Sequence, residues 1–197
     1  MGRFTNPRDL YFGEGARHEV KNLKGKKAII VSGGSSMRRG GFLQDVEADL
    51  KEGGFEVKLF EGVESDPSIE TVMKGAEAMR KFQPDWIVAM GGGSPIDAGK
   101  SAAIILANPG KTAEELYTFA FTPTKAVPIV VVNLTHGTGS EVNRFAVASI
   151  TKHNHKPAIA YDCLYPLFSI DDPGLMIKLS PKQTRYVSID SVNHVIE

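Results

Sequence analysis

Cysteine is nearly absent: Cys163 is the only one in 197 residues. A lone thiol excludes an intrachain disulfide and suits a reducing cytosol. Long apolar runs are missing too. None approaches the roughly 18 residues needed to cross a bilayer. The opening Met1-Gly2-Arg3-Phe4-Thr5-Asn6 has no signal-peptide core. A cytoplasmic location and no membrane partner are therefore expected. Net charge is zero, with 23 Lys+Arg against 23 Asp+Glu, so no charged field points to nucleic acid. At 42% hydrophobic and 23% charged, the chain has an ordinary globular composition. Its length makes one large domain, or one domain and part of another.

What is present centres on Met90-Gly91-Gly92-Gly93-Ser94-Pro95-Ile96-Asp97-Ala98-Gly99-Lys100-Ser101. An apolar strand, 86–90, precedes it and a buried helix follows. Strand, glycines and helix together make a phosphate-binding layout, because a helix start offers free N–H groups and a positive dipole end. Ser94 reads as the N-cap, Pro95 as the first helical residue and Asp97 as the capping-box acid. Two common phosphate motifs fail here. A P-loop needs glycine where Ser94 stands, and Pro95 places Gly99 and Lys100 inside the helix. The G-x-G-x-x-G fingerprint would need glycine at Ile96. A structural turn without ligand stays open on spacing alone.

Elsewhere the chain alternates strands and helices. Residues 10–15 read as extended, turning into a short helix near 16–23. Residues 26–32 form a buried strand and 42–53 a helix with Leu43, Val46 and Leu50 on one face. Residues 55–60 form a strand. Asp66-Pro67-Ser68 opens a helix to about Phe82, and 127–133 is another strand. Residues 144–150 and 157–161 read as a hairpin with His153-Asn154-His155 at its tip; an exposed polar tip competes there with a His-x-His metal pair. The alternation implies parallel βαβ units in an open, doubly wound, Rossmann-like α/β sheet. Ligands bind such sheets beyond the carboxyl ends of the strands.

The turn after Ser32 bears on cofactor choice. An acid there binds a ribose 2′-hydroxyl and repels a 2′-phosphate. This chain has Gly33-Gly34-Ser35-Ser36-Met37-Arg38-Arg39 instead. Hydroxyls and guanidiniums suit a phosphate, so Gly33, Gly34, Ser35 and Arg38 read as a 2′-phosphate site. A solvated loop is the alternative. Near the end of the chain, Ser180-Pro181 starts a last helix, on which Asp190 and His194 are four apart and share a face. That pair can hold one divalent ion, or be an ordinary helical pair.

Gly91-Gly92-Gly93-Ser94-Pro95-Ile96-Asp97-Ala98-Gly99-Lys100 resembles the signature of the iron-containing (group III) alcohol dehydrogenases, which are metal-dependent NAD(P) oxidoreductases. Leu134-Thr135-His136-Gly137-Thr138-Gly139-Ser140-Glu141 is similar to a second family segment, and the turn after Ser32 to that of the NADPH-dependent butanol dehydrogenase branch. Leu134 and His136 depart from the usual small or hydroxylated residues; His136 reads as a hydrogen-bonded loop residue or one that reaches the active site. The resemblance implies a dehydroquinate synthase-like fold. It implies cofactor contacts from Gly91, Gly92, Gly93, Ser94, Asp97, Thr135, Thr138, Lys156 and Leu175, with NADP(H) preferred over NAD(H). It makes Asp190 and His194 the ligands of a divalent metal, Fe2+ or Zn2+, through which they act in catalysis. It also implies hydride transfer with a small alcohol or aldehyde, a homodimer or higher self-association, and an N-terminal strand paired across a dimer.

The resemblance covers only the N-terminal half of a family-length protein. The expected division is a dinucleotide-binding domain at 1–178 and, at 179–197, the first helix of a missing all-helical domain. Two further histidine ligands belong to that domain, so a truncated chain, inactive alone, is expected. Alternatives are a stand-alone nucleotide-binding module, an enzyme like dehydroquinate synthase or glycerol-1-phosphate dehydrogenase, and a nucleoside triphosphatase using Gly99-Lys100-Ser101.

Overall fold

Short β-branched runs separated by amphipathic stretches build a parallel sheet wrapped by helices. The computed structural model describes residues 5–6, 8–34 and 36–197. In chain order come β1 (Asp9–Phe12), β2 (Lys27–Ser32), α1 (Ser36–Arg39), α2 (Phe42–Glu52), β3 (Glu56–Phe60), α3 (Ile69–Phe82) and β4 (Trp86–Gly91). Then follow α4 (Gly93–Ala107), α5 (Ala113–Tyr117), β5 (Ile129–Asn133), β6 (Phe145–Val147), β7 (Ala158–Ala160), β8 (Phe168–Asp171) and α6 (Pro181–Ile196). Six strands form one sheet in the order β1-β8-β5-β4-β2-β3, and every pairing in it is parallel. The hairpin is shorter than its sequence suggests: β6 pairs antiparallel with β7 over three residues each, and an isolated bridge joins Ile150 to His155.

Side-chain alternation splits the core between the two faces of the sheet. Ile29, Val31, Ile87, Ala89 and Val131 face α3 and α4. Ala28, Ile30, Val88, Met90 and Val132 face α2. The helical face read at Leu43, Val46 and Leu50 is buried as expected, each residue contributing roughly 1.5–3 kcal/mol by burial. Ser68 caps α3 by accepting from Thr71 N, and Ser180 caps α6 by accepting from Gln183 N, with Pro181 first in the helix. β1 lies at the border of the sheet and pairs with β8 of its own chain.

The strand order sets the site. From β2 the chain moves outward to β3, then returns to the other side of β2 as β4. The loops leaving β2 and β4 therefore diverge, and a crevice opens between their carboxyl ends.

Candidate active site

A cleft of about 1110 Å³ lies at this switch point. Gly33, Gly91, Gly92, Gly93, Ser94, Thr135, Thr138, Leu175 and Asp190 all line it, together with Met37, Arg39 and Tyr186. Nine residues expected from the sequence are thus brought to one cavity. The strand ends, in register at Ser32↔Met90 and Gly91↔Asn133, explain why.

The start of α4 differs from its sequence reading. The helix begins at Gly93, with Gly92 as N-cap and no side chain capping it. Ser94 is thus already inside the helix, where its Oγ accepts from Asp66 N at 3.2 Å. Asp97 lies two residues beyond the capping-box position, now held by Pro95, and does not reach back to the cap. Its carboxylate instead accepts from Ser140 Oγ at 2.6 Å and from Val147 N at 3.1 Å. Burial pushes this carboxyl up to about 6, against the lowering influence of Ser140, Lys100 and Val147. The N-cap supplies no side-chain acceptor, and a helix start of this kind favours an anion. Gly91 makes the turn possible: its φ is +145°, and a Cβ there would come within 2.5 Å of Pro95 Cγ.

Lys100 excludes the triphosphatase alternative. It is fully buried inside α4. Its Nζ donates to the carbonyls of Ser140 (2.6 Å), Asn143 (2.8 Å) and Phe145 (3.0 Å). Burial lowers the ammonium to about 8. Lys100 ties the turn after β5 to α4 and does not face the cleft. Gly99 has a packing role: its Cβ would lie 2.9 Å from Ala89 Cβ, so its absence seats α4 on β4.

The phosphate turn is only partly as expected. Ser35 lies outside the described residues. Gly34 is exposed and outside the cleft lining. Arg38 turns to Glu61, donating at 3.1 and 2.5 Å, and that acid holds the guanidinium above its usual range. Arg39, next in the chain, lines the cleft. Lys156 is paired with Asp66; it lines a neighbouring pocket of about 450 Å³ with Asp97, Thr138 and His194.

Asp190 and His194 share a face of α6, with Asp190 Oδ1 3.8 Å from His194 Nε2. Two metal bonds of about 2.0–2.2 Å span roughly 4 Å, so one ion fits between these donors. The helix is held against the turn after β5: Ser191 Oγ donates to the His136 carbonyl at 2.9 Å. A Cβ on Gly137 would come within 2.9 Å of Asp190 Oδ2 and 3.1 Å of the Val187 carbonyl. His136 itself is exposed, 3.9 Å by Nδ1 from Glu141 Oε1. The tip histidines 153 and 155 are exposed, and among the described residues the sole cluster of three or more metal-capable side chains is His136, Glu141 and Asp171. Sequence reasoning missed Glu141 and Asp171.

The family model of the iron-containing alcohol dehydrogenases matches residues 7–173. The chain belongs to the iron-containing alcohol dehydrogenase family. It is 47% identical over 200 residues to an NADPH-dependent butanol dehydrogenase of Clostridium saccharobutylicum, covering 100% of this chain and 51% of that protein. It is 46% identical over 194 residues to the long-chain primary alcohol dehydrogenase AdhA of Thermoanaerobacter ethanolicus, covering 95% of this chain and 49% of that one. Among solved structures, an NADH-dependent butanol dehydrogenase A from Thermotoga maritima superposes with a TM-score of 0.94 at 29% identity, covering 100% of this chain and 50% of that one. The chain spans about half the length of the relatives it matches. Family membership removes the alternatives drawn from dehydroquinate synthase and glycerol-1-phosphate dehydrogenase, which rested on fold alone.

Proposed function

We propose that this chain is the nucleotide-binding half of an NADP(H)-dependent, metal-dependent alcohol dehydrogenase or aldehyde reductase. The observation that supports it most is the convergence of an uncapped helix start, two strand-end glycine turns and Asp190 on one cleft. The α4 N-terminus suits a pyrophosphate. Gly33 and Arg39 line the same cleft, where a guanidinium suits a 2′-phosphate. Thr135 and Thr138 bring hydroxyls to the opposite wall and Leu175 an apolar surface.

Asp190 and His194 are the residues that would hold a divalent metal. When bound, that ion supplies Lewis acidity toward an alcohol or aldehyde oxygen, and the nicotinamide supplies or takes the hydride. The chain's own task is to hold the nucleotide along the glycine turns and keep the α6 donors beside the turn after β5. A carboxylate and an imidazole are two donors, too few for a tightly closed site. In this reading, residues 179–197 begin a second, helical unit that completes it, and this chain alone binds nucleotide without turnover.

Fluorescence titration of the 197-residue chain with NADPH and with NADH tests this reading. NADPH binding roughly tenfold tighter is the expected result. Binding of neither nucleotide would sink the reading for this chain, and an NADH preference would overturn the assignment of the 2′-phosphate turn.

A further inference from the structure

The turn after β5 holds a group of side chains that the nucleotide reading leaves unused. Asp171 ends β8 and is in register with Asn133, the end of β5. The loop leaving β5 folds back over this edge and brings His136 and Glu141 to it. One ligand-capable atom from each of His136, Glu141 and Asp171 lies within 4.8 Å of the others.

We propose that His136, Glu141 and Asp171 form a second divalent-metal site beside the Asp190/His194 pair. Two orphaned atoms carry the inference. Glu141 is 6% exposed, and its Oε2 has no hydrogen-bond partner. Asp171 Oδ1 is likewise buried and without one. An unsatisfied buried carboxylate oxygen is costly, and here two acids that repel one another are close. Burial and, secondarily, Asp171 push the Glu141 carboxyl up. Lys100 acts on Glu141 only as a nearby charge, since its ammonium donates to Ser140, Asn143 and Phe145 and to neither orphaned oxygen. A cation between the acids satisfies both oxygens.

The donor set narrows the ion. One imidazole and two carboxylates suit Mn2+, Fe2+ or Zn2+. Three donors at metal bonds of about 2.0–2.2 Å lie roughly 3.6 Å apart, so side chains now within 4.8 Å of one another draw in by up to about an ångström around the ion. The half-exposed His136 side chain leaves an entry path from solvent. His136 Nδ1, the nitrogen that faces Glu141, has the Asn133 amide Nδ2 at 3.4 Å, a contact that an ion bound there replaces. Asp172, beside Asp171, accepts from Arg17 N at 3.2 Å and Gly174 N at 2.9 Å, which fixes the strand end.

The test removes the neighbouring donors first. The 197-residue chain carrying Asp190→Asn and His194→Ala is titrated with Mn2+, and free ion is read by electron paramagnetic resonance. One ion per chain is expected to remain bound. Adding Glu141→Gln, which keeps the side-chain shape, should weaken it roughly tenfold or more. His136→Ala should do the same, and at an exposed position it opens no core cavity. No Mn2+ on the Asp190→Asn/His194→Ala background would overturn the site. Unchanged affinity in either added variant would overturn it equally. Nucleotide titration is a separate readout, so failure here leaves the nucleotide reading intact.

Discussion

Ser140 and Asp97 are joined by a 2.6 Å hydrogen bond that runs from the turn after β5 to α4. Lys100 crosses the same gap in the opposite sense, with an α4 ammonium donating to turn carbonyls. The wall of the cleft is thus held by an acid and a base set one helical turn apart.

The acid gives a pH dependence with a definite sign. Asp97 sits at about 6 in the folded chain, above its ordinary 3.8. The folded state holds that proton more tightly, so this group's contribution to stability is full below about pH 4, falls through pH 4 to 6, and is lost above. The size is roughly 1–3 kcal/mol. Urea midpoints at about pH 4 and about pH 7 measure it. In Asp97→Asn this component of the slope should vanish, and a slope equal to the parent's would contradict the assignment.

Lys100→Met keeps the stem and removes the ammonium. Three carbonyls then lose their donor, and each buried unsatisfied group costs about 1–3 kcal/mol. A net loss of roughly 2–4 kcal/mol in chemical denaturation is expected after partial relaxation. A loss within about 0.5 kcal/mol, the range of ordinary surface changes, would show that the lysine does not hold the turn.

Gly93→Ala places a methyl 2.9 Å from Thr138 Cγ2 and 3.3 Å from its Oγ1. Threonine must give way, and the helix start moves with it. NADPH affinity should fall roughly tenfold, with folding retained because Thr138 is exposed. Undiminished binding by calorimetry would remove the α4 start from the nucleotide site.

The two neighbouring arginines should separate. Arg39 lines the cleft, whereas Arg38 is engaged by Glu61. Arg39→Ala is expected to weaken NADPH several-fold more than NADH, while Arg38→Ala changes both little. The reverse order would restore the 2′-phosphate role to Arg38.

α6 buries none of its residues, and Tyr186, Ile189, Val192, Val195 and Ile196 are each more than half exposed. Exposed apolar surface of this kind drives association. Concentration-dependent mass by light scattering is expected, reduced in Ile189→Glu/Val192→Glu. A strictly monomeric parent chain would contradict it.

Much of this is legible in the sequence, because strands and helices here follow hydrophobic period. The βαβ alternation, the β2 and β4 turns, the Ser68 and Ser180 caps and the Asp190–His194 face all rest on near neighbours in the chain. What escapes depends on distance or brevity. β8 is only four residues long, between Pro166 and Pro173, too short to display a strand's period. α5 has five residues, yet Thr112 and Glu115 form a full capping box, so its T-x-x-E signal is one that sequence reasoning can find. Asp97 reads as a cap because its true partner, Ser140, is 43 residues away. Arg38 reads as a phosphate ligand because Glu61 is invisible to local spacing. Glu141 and Asp171 carry no signal until β5 and β8 are set side by side.

The missing methyl at Gly137 has a mechanical consequence. Asp190 and Val187 press on the backbone at that point, and Ser191 is bonded to the preceding carbonyl. The turn carrying Thr135 and Thr138 and the helix carrying Asp190 and His194 are therefore expected to move together. A motion that opened the cleft would have to bend elsewhere, and hydrogen exchange should show the turn and the middle of α6 opening together. A side chain at 137 would act as a wedge against Asp190 and Val187, prising the middle of α6 away from the turn.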